Sequence, residues 1–291
     1  MKLLNTFFIV AFLHVPLFSA QPNIVFILAD DMGYGDLGCY GHPRAKTPVI
    51  DRLAKEGVRF TQHYANGPEC SPTRTALLTG RYQQRAGGLE CAIGTGNVGR
   101  YDDAIRLAGQ RQLGLPAKQV VLPSALKPAG YTSGVFGKWH LGIAPEFHPT
   151  RRGFDEFFGS MGGATDYIDP TREDVKSSRP GRAPRPDGPW AGRGKNGIFS
   201  GVQRVEEEDY LTDATTENAV RFIANHKDDP FFLYVPYLAV HQPLVVVRVV
   251  ALEGVLELGQ RRPNLIKDVV FQDAAHRDAP LPLPRAWWRC S

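Results

Sequence analysis

The chain has 291 residues, of which 43% are hydrophobic and 22% charged, and its formal net charge is +4. This balance excludes an intrinsically disordered chain, because enough apolar side chains are present to bury a sizeable core in one large or two modest domains. The mild positive charge does not indicate a nucleic-acid-binding protein, since the basic residues concentrate in a Pro- and Gly-rich stretch, 172–193, that is typical of a solvated loop.

The N-terminal residues indicate a secretory signal peptide. Lys2 precedes a mostly apolar run from Phe7 to Phe18, and Ser19-Ala20 predicts cleavage after Ala20. The run is short for a bilayer span, so we expect an exported protein without a stable membrane anchor. The cysteines lie at positions 39, 70, 91 and 290. A Cys39–Cys91 disulfide is compatible with export, although spacing alone does not establish the pairing.

The next segment predicts a buried strand that ends in two carboxylates. Asn23 to Ala29 is a nearly continuous apolar run, as expected for a strand covered on both faces. Asp30 and Asp31 follow at its carboxyl end, where open α/β sheets bind their ligands. Two adjacent carboxylates repel each other unless a cation lies between them, so the pair predicts a site for a hard divalent ion. An isolated Asp-Asp pair more commonly caps a loop, but the motifs farther along the chain favour a metal.

Two helix starts and one strand are predicted next. Thr47-Pro48 combines a capping residue with proline at the first helical position. The alternation from Val58 to Tyr64 predicts a half-buried strand. Ser71-Pro72 repeats the helix start, and Gly80 predicts the end of that helix. Cys70 should therefore lie just before a helix N-terminus, where free N–H groups and the helix dipole favour an anion.

A second strand is predicted to bring further polar side chains to the same edge. A short or broken helix at 122–130, interrupted by prolines, precedes a segment from Tyr131 to Gly137 that resembles a strand. Lys138 and His140 come directly after this segment. We expect them at the carboxyl edge of the sheet, beside the two aspartates.

A helix and a third apolar strand complete the predicted core. The segment from Thr212 to His226 has helical periodicity, and the strand from Phe231 to Leu238 is followed by His241. Every candidate site residue thus lies just past a strand or at a helix start. The sequence predicts an α/β fold, with a mixed, mostly parallel sheet flanked by helices and a site on one edge.

Four motifs carry a resemblance to a known family. Cys70-Ser71-Pro72-Thr73-Arg74 matches the pattern C-x-P-x-R and is followed by Leu77-Leu78-Thr79-Gly80-Arg81. The other motifs, in the same order as in the family, are Asn23 to Gly33, Gly137-Lys138-Trp139-His140-Leu141-Gly142 and Val240-His241-Gln242-Pro243. From about Pro22 to Leu244 the chain resembles the type I, formylglycine-dependent sulfatases, which are arylsulfatase-like members of the alkaline-phosphatase-like superfamily.

The resemblance implies hydrolysis of sulfate esters with two cofactors. A formylglycine-generating enzyme would oxidise Cys70 to formylglycine, whose hydrated aldehyde attacks sulfur and afterwards expels sulfate from carbon. Asp30 and Asp31, with an oxygen of the modified Cys70, would hold a calcium ion that neutralises sulfate oxygens. The substrate would be a sulfated small molecule or glycan, met in the periplasm or along a secretory or lysosomal route.

The resemblance also implies roles for four further side chains. Arg74, one helical turn beyond Cys70, would stabilise the hydrated aldehyde as a fixed positive charge. Lys138 would hold the sulfate or the leaving oxygen. His140 would bond the second hydroxyl of the hydrate and assist the elimination, and His241 would orient the sulfate or protonate the leaving alcohol.

Two other functions stay open at this point. One is a phosphate or phosphonate ester hydrolase of the same superfamily, because the same arrangement of metal and nucleophile serves both anions. The other is a catalytically inactive sulfatase-like fragment or binding module, which would bind a substrate without turning it over.

The C-terminal part departs from the family pattern. Sulfatases complete the calcium site with an Asp-Asn pair after the H-x-P motif, and this sequence contains no Asp-Asn dipeptide. We divide the chain into a signal peptide, 1–20, an incomplete catalytic domain, 21–244, and a divergent tail, 245–291, that replaces the expected ending. We expect poor activity or none, because two aspartates and one further oxygen fall short of the ~6–8 oxygens that calcium takes. We also expect an unpaired sheet edge near the site.

Overall fold

The computed structural model describes residues 21–86, 89, 92–93, 113–168, 197–241 and 268–273. Within these ranges the strands are β1 (Ile24–Ala29), β2 (Thr132–Lys138), β3 (Glu156–Ser160), β4 (Ile198–Ser200), β5 (Gln203–Val205), β6 (Phe231–Pro236) and β7 (Asp268–Asp273). They form one sheet with the order β5-β4-β3-β2-β6-β1-β7. Neighbours from β3 to β7 in this order run parallel, while β4 pairs antiparallel with both β3 and β5. The predicted mixed, mostly parallel sheet is confirmed.

The centre of the sheet is apolar because it is covered on both faces. β6 lies between β1 and β2, and each of its six residues is buried. On one face Phe136 packs against Phe222 with ring centroids 5.6 Å apart, and on the other Trp139 and Phe154 meet edge to face. A strand with two buried faces needs apolar residues at every position, which explains the unbroken hydrophobic run of β6.

Four α-helices lie within the described residues: α1 (Pro48–Glu56), α2 (Cys70–Thr79), α3 (Leu122–Leu126) and α4 (Leu211–Asn225). The predicted start of α1, with Thr47 at the N-cap and Pro48 at the first helical position, is confirmed. α2 begins two residues earlier than predicted, because its N-cap is Glu69 and not Ser71, so Cys70 is its first helical residue rather than the residue before its N-cap. Gly80 ends α2 with φ +63°, a left-handed conformation that glycine adopts without strain.

The predicted strand from Val58 to Tyr64 is wrong. The segment is an irregular loop, and its apolar side chains are open to solvent, with Val58 81%, Phe60 59% and Tyr64 54% exposed. Alternation describes which side chains share a face, but a strand also needs a neighbour to receive its backbone hydrogen bonds. No described strand lies beside this segment.

Part of the predicted divergent tail joins the sheet. β7 pairs in parallel with β1, and Asp273 lies opposite Ala29 at the carboxyl end of both strands. β1 is therefore not an edge strand, and among the described strands β7 lies at that end of the sheet, near the site. The predicted signal peptide and Cys91, the proposed partner of Cys39, lie outside the described residues. Among the described helices, none is long and apolar enough to cross a membrane.

Candidate active site

The predicted site residues meet at the carboxyl edge of the sheet. Asp30 follows β1, Lys138 is the last residue of β2, and His241 follows β6 after a short loop. The ends of β1 and β6 are joined by backbone hydrogen bonds from Asp30 N to Ala239 O and from Val240 N to Asp30 O, both 2.9 Å. The parallel arrangement thus fixes the relative positions of side chains that are far apart in the sequence.

Three charged side chains form the buried part of this site. The side chains of Asp30, Arg74 and Lys138 are 0% exposed. Lys138 Nζ lies 2.5 Å from Asp30 Oδ2, and Arg74 Nη2 lies 3.2 Å from Asp30 Oδ1. Arg74 Nη1 also donates to the backbone carbonyl of Lys138 over 2.6 Å. Each carboxylate oxygen therefore has its own cation, which is the condition under which buried charges are tolerated.

The electrostatics of Asp30 follow from these contacts. Burial raises the pKa of this carboxyl, but Arg74 and Lys138 more than compensate and leave the pKa below its ordinary value. One negative and two positive charges leave a net positive charge in the buried cluster. An anion brought to this edge would be attracted to it.

Cys70 lies directly against the cluster. Its Sγ is 3.2 Å from Lys138 Nζ, and as the first residue of α2 it lies among the unpaired N–H groups of a helix N-terminus. Burial raises the pKa of the Cys70 thiol, and the nearby Lys138 opposes this only in part. The unmodified side chain is therefore a thiol at neutral pH rather than an activated thiolate.

His140 lies beside the cluster in an uncommon backbone conformation. Its φ of +55° falls in the left-handed region, and the residue is 5% exposed. Burial, helped by the charge of Lys138, lowers the pKa of His140 to about 3. The imidazole is thus neutral at physiological pH.

The outer part of the site is open to solvent. The side chain of Asp31 is 55% exposed and that of His241 is 20% exposed, and His241 Nε2 lies 3.5 Å from Asp31 Oδ2. Tyr167, which the sequence did not single out, donates from its hydroxyl to the backbone carbonyl of His241 over 2.9 Å. This bond holds the segment that carries His241 against the sheet edge.

The described residues fit one side of a cation site. Asp30, Cys70 and His241 each offer one ligand atom, and these atoms lie within 4.8 Å of one another. The carboxylate of Asp31 borders the same position through its contact with His241. Carboxylate oxygens suit calcium, but this set is smaller than the ~6–8 ligands that calcium takes. Both oxygens of Asp30 are also already paired with Arg74 and Lys138.

All the predicted site residues lie at this edge of the sheet. They form two sets of contacting side chains, and one further residue lies beside the first set. Cys70, Arg74, Lys138 and Asp30 form one contact cluster, Asp31 and His241 form a second pair, and His140 lies on the segment after Lys138. A cavity of about 470 Å³ lies elsewhere, beside α1, and contains none of these residues. The geometry thus concentrates the candidate chemistry around Cys70.

Comparison with known proteins identifies the family. The family model described as Sulfatase matches residues 22–249. The chain belongs to the sulfatase family. This confirms the resemblance that the four sequence motifs carry.

Relatives and solved structures agree with the assignment. The chain is 38% identical over 229 residues to mouse (Mus musculus) N-acetylgalactosamine-6-sulfatase, covering 78% of this chain and 41% of that protein. It is 45% identical over 143 residues to human (Homo sapiens) arylsulfatase A, covering 48% of this chain and 25% of the relative. The crystal structure of Ps i-CgsB in complex with k-i-k-neocarrahexaose superposes with a TM-score of 0.67 at 29% identity, over 87% of this chain and 58% of that one. The chain therefore spans less than half the length of the curated relatives that it matches.

Proposed function

We propose that the chain hydrolyses sulfate esters at the site around Cys70, with formylglycine at that position and a calcium ion at Asp30 and Asp31. The observation that carries this proposal is the position of Cys70 at the start of α2, with its Sγ 3.2 Å from Lys138 Nζ and beside the buried Arg74–Asp30 pair. A sulfate group at this position would meet helix N–H groups and a net positive cluster, which together favour an anionic transition state.

Formylglycine and calcium would supply part of the chemistry. Formylglycine at position 70 would supply a hydrated aldehyde as the nucleophile. Calcium would supply a Lewis acid for the sulfate oxygens, held by Asp30, Asp31 and the oxygen of residue 70. An oxygen in place of the Cys70 sulfur would remain within reach of Lys138, since the sulfur is 3.2 Å from Nζ.

The side chains of this protein would bind, orient and move protons. Lys138 and Arg74 hold positive charge at the nucleophile and have little freedom to move away, because both are fixed to Asp30. His140 is neutral, so its imidazole would accept a hydrogen bond from a hydroxyl group at position 70 and assist the elimination. His241 is partly exposed at the outer side, where it can orient the sulfate or give a proton to the leaving alcohol.

A sulfated sugar is the substrate class that the relatives favour. One relative is named for a sulfate on N-acetylgalactosamine, and one structural neighbour was crystallised with an oligosaccharide. We propose that this chain acts on a sulfated glycan or small molecule after export, and that a formylglycine-generating enzyme is its maturation partner.

The nucleophile is tested by expressing the chain with a formylglycine-generating enzyme. We expect the mass of the Cys70 peptide to show conversion, and kcat/KM to be higher for an aryl sulfate than for an aryl phosphate with the same leaving group. Cys70→Ala should abolish sulfate turnover, whereas Cys39→Ala, which changes a cysteine beside α1, should retain it. Faster phosphate turnover that survives Cys70→Ser would instead identify a phosphoesterase, and substrate binding without turnover of either ester would identify a binding module.

The calcium site is tested by calorimetric titration of the purified chain. We expect Asp31→Asn to weaken calcium binding, and we include Asp273→Asn because the register of β7 brings Asp273 to the same edge opposite Ala29. An effect of Asp273→Asn would show that the tail supplies a ligand. Tight one-to-one binding together with ordinary sulfatase turnover would contradict the expectation, drawn from the missing Asp-Asn pair, that the chain is poorly active.

A further inference from the structure

The hydroxyl of Ser71 connects three segments of the chain at the site. Ser71 is 0% exposed, and its Oγ donates to the backbone carbonyl of His140 over 2.9 Å. The same oxygen accepts a hydrogen bond from Ile93 N at 3.1 Å. The ring of His140 closes the circuit, because its Nε2 lies 2.7 Å from the carbonyl oxygen of Ile93. Ser71 thus contacts the backbone of both His140 and Ile93, the two residues that the hydrogen bond of the imidazole joins.

This circuit determines which ring nitrogen of His140 carries the proton. A carbonyl oxygen only accepts hydrogen bonds, so the nitrogen that contacts Ile93 must be the N–H donor. In a neutral imidazole the other nitrogen, Nδ1, then carries the lone pair. Nδ1 of His140 is buried and has no hydrogen-bond partner among the described residues. The ring therefore keeps one nitrogen lone pair that no described residue occupies.

The surroundings of His140 leave the ring little freedom. Its backbone is in the left-handed region, with φ +55°, and its amide N donates to Met161 O at 3.2 Å. Gly163 lies against the ring, and a Cβ at that position would come within 2.4 Å of Nε2 and Cε1. Only a residue without a side chain fits there. The Ser71 hydroxyl is the polar side chain that fixes the carbonyl of this strained residue.

We propose that Ser71 is a positioning residue for His140. Through its bonds to the His140 carbonyl and the Ile93 amide it holds the imidazole as the Nε2–H tautomer, with Nδ1 as the proton acceptor of the site. Ser71 follows Cys70 directly on α2, so the residue that carries the nucleophile and the residue that orients the base are consecutive. The part of this inference that concerns catalysis rests on the proposed sulfate ester hydrolysis, but the tautomer does not.

The tautomer is measured by long-range 1H–15N NMR of the chain labelled with 15N-histidine, and His140→Gln assigns the signals. In the unsubstituted protein we expect a protonated Nε2 and an unprotonated Nδ1 for His140. In Ser71→Ala we expect this pattern to be lost, with signals of the second tautomer or of exchange between the two. Ser71→Thr, which keeps a hydroxyl, should restore the original pattern.

Kinetics separate positioning from general destabilisation. On the aryl sulfate, Ser71→Ala should lower kcat by about tenfold or more with little change in KM, since a misplaced base affects the proton transfer and not the binding. Activities are normalised to the fraction of Cys70 converted, as read from the peptide mass. Thr73→Val is the matched control, because it also removes a hydroxyl from α2 that bonds a backbone carbonyl, that of Gly67 at 3.0 Å, without touching His140.

The outcomes distinguish this inference from the proposed function. An Nε2–H tautomer that is lost in Ser71→Ala and kept in Thr73→Val supports the inference even if the chain hydrolyses no sulfate ester. An Nδ1–H tautomer in the unsubstituted protein overturns it without the need for any variant. A pattern unchanged in Ser71→Ala, or altered equally in Thr73→Val, overturns it as well.

Discussion

The two neighbouring aspartates of the site lie in opposite environments. The side chain of Asp30 is 0% exposed and contacts Arg74 and Lys138, whereas that of Asp31 is 55% exposed and contacts only the partly exposed His241 among the ion pairs that the described residues form. We call the first group the inner half of the site and the second the outer half. Two residues with the same chemistry, adjacent in sequence, thus belong to different parts of one site.

The inner and outer halves of the site differ in how firmly their charges are held. In the inner half, every charge is fixed by backbone elements, since Asp30 follows β1, Lys138 ends β2 and Arg74 lies on α2. Such charges need no rearrangement when a negative transition state forms. The outer half faces water, so substrate and metal would approach from that side.

The inner carboxylate should matter far more for stability than the outer one. Asp30→Asn leaves Arg74 and Lys138 buried beside an uncharged side chain, and breaking a buried ion pair costs about 3–5 kcal/mol. Asp31→Asn changes an exposed side chain and should cost less than about 1 kcal/mol. Urea unfolding of both variants without calcium measures the free energies of unfolding. If Asp30→Asn lowered the free energy of unfolding as little as is expected for Asp31→Asn, the inner cluster would not support the fold.

The inner half should also make the fold sensitive to acid. The pKa of His140 is about 3 in the folded protein, against about 6.5 in an unfolded chain. Below pH 6.5 the unfolded chain therefore binds a proton that the native state does not, and stability falls as the pH falls towards 3. From pH 6.5 to 5 the loss should be roughly 1.6 kcal/mol, because the full slope of about 1.4 kcal/mol per pH unit is reached only once the unfolded histidine is mostly protonated.

The measurement for this pH dependence is urea unfolding between pH 5 and 7. The variant His140→Gln cannot take up the proton, so its free energy of unfolding should fall less over this range than that of the unsubstituted protein. The lowered pKa of Asp30 has the same sign, but its contribution is lost only at more acidic pH, as the pH falls below about 4. An identical slope in His140→Gln would show that His140 is not the neutral buried group described above.

The third prediction concerns competition between Lys138 and a metal. Lys138 Nζ lies 2.5 Å from Asp30 Oδ2, so a divalent cation bound at Asp30 would feel its repulsion. Lys138→Met removes that charge while keeping most of the apolar stem. We expect calcium to bind roughly tenfold more tightly, which corresponds to about 1.4 kcal/mol. Calorimetric titration of both forms gives the two dissociation constants. Weaker binding in Lys138→Met would show that the lysine supports the cation site instead of competing for it.

Much of the inner half could be predicted from the sequence, because it is built from strong local signals. Apolar runs predicted β1 and β6, and a strand was also predicted from Tyr131 to Gly137. Parallel strands bring the residues after them to one edge. The start of α2 was predicted two residues late, because Ser71-Pro72 has the pattern of a cap followed by proline. In the structure the N-cap is Glu69, and it makes no side-chain capping hydrogen bond. A cap of that kind leaves no signal in the sequence.

Features that depend on distant backbone could not be predicted. β7 pairs with β1 across more than two hundred residues, and no local sequence pattern predicts such a partner. The alternation from Val58 to Tyr64 had the pattern of a strand but has no neighbouring strand among the described residues. His140 contacts the backbone carbonyl of Ile93. Because every residue type has such a carbonyl, the sequence does not predict this contact. The signal for Ser71 was its place inside the cysteine motif, although its contacts became visible only in the fold.

The smallest expected effect belongs to the outer pair itself. His241 Nε2 and Asp31 Oδ2 are 3.5 Å apart and partly exposed, so their interaction is screened by water and should contribute less than about 1 kcal/mol. A double-mutant cycle with Asp31→Asn, His241→Gln and the double variant isolates this coupling from the other contacts of each residue. Urea unfolding should give a small coupling energy at low salt that declines further at about 1 M salt, where charges are screened within about 3 Å. A coupling of several kcal/mol that salt does not change would mean that the outer pair is as enclosed as Asp30 and its two cations. The division into an inner and an outer half would then be wrong, and substrate would have to reach Cys70 from another side.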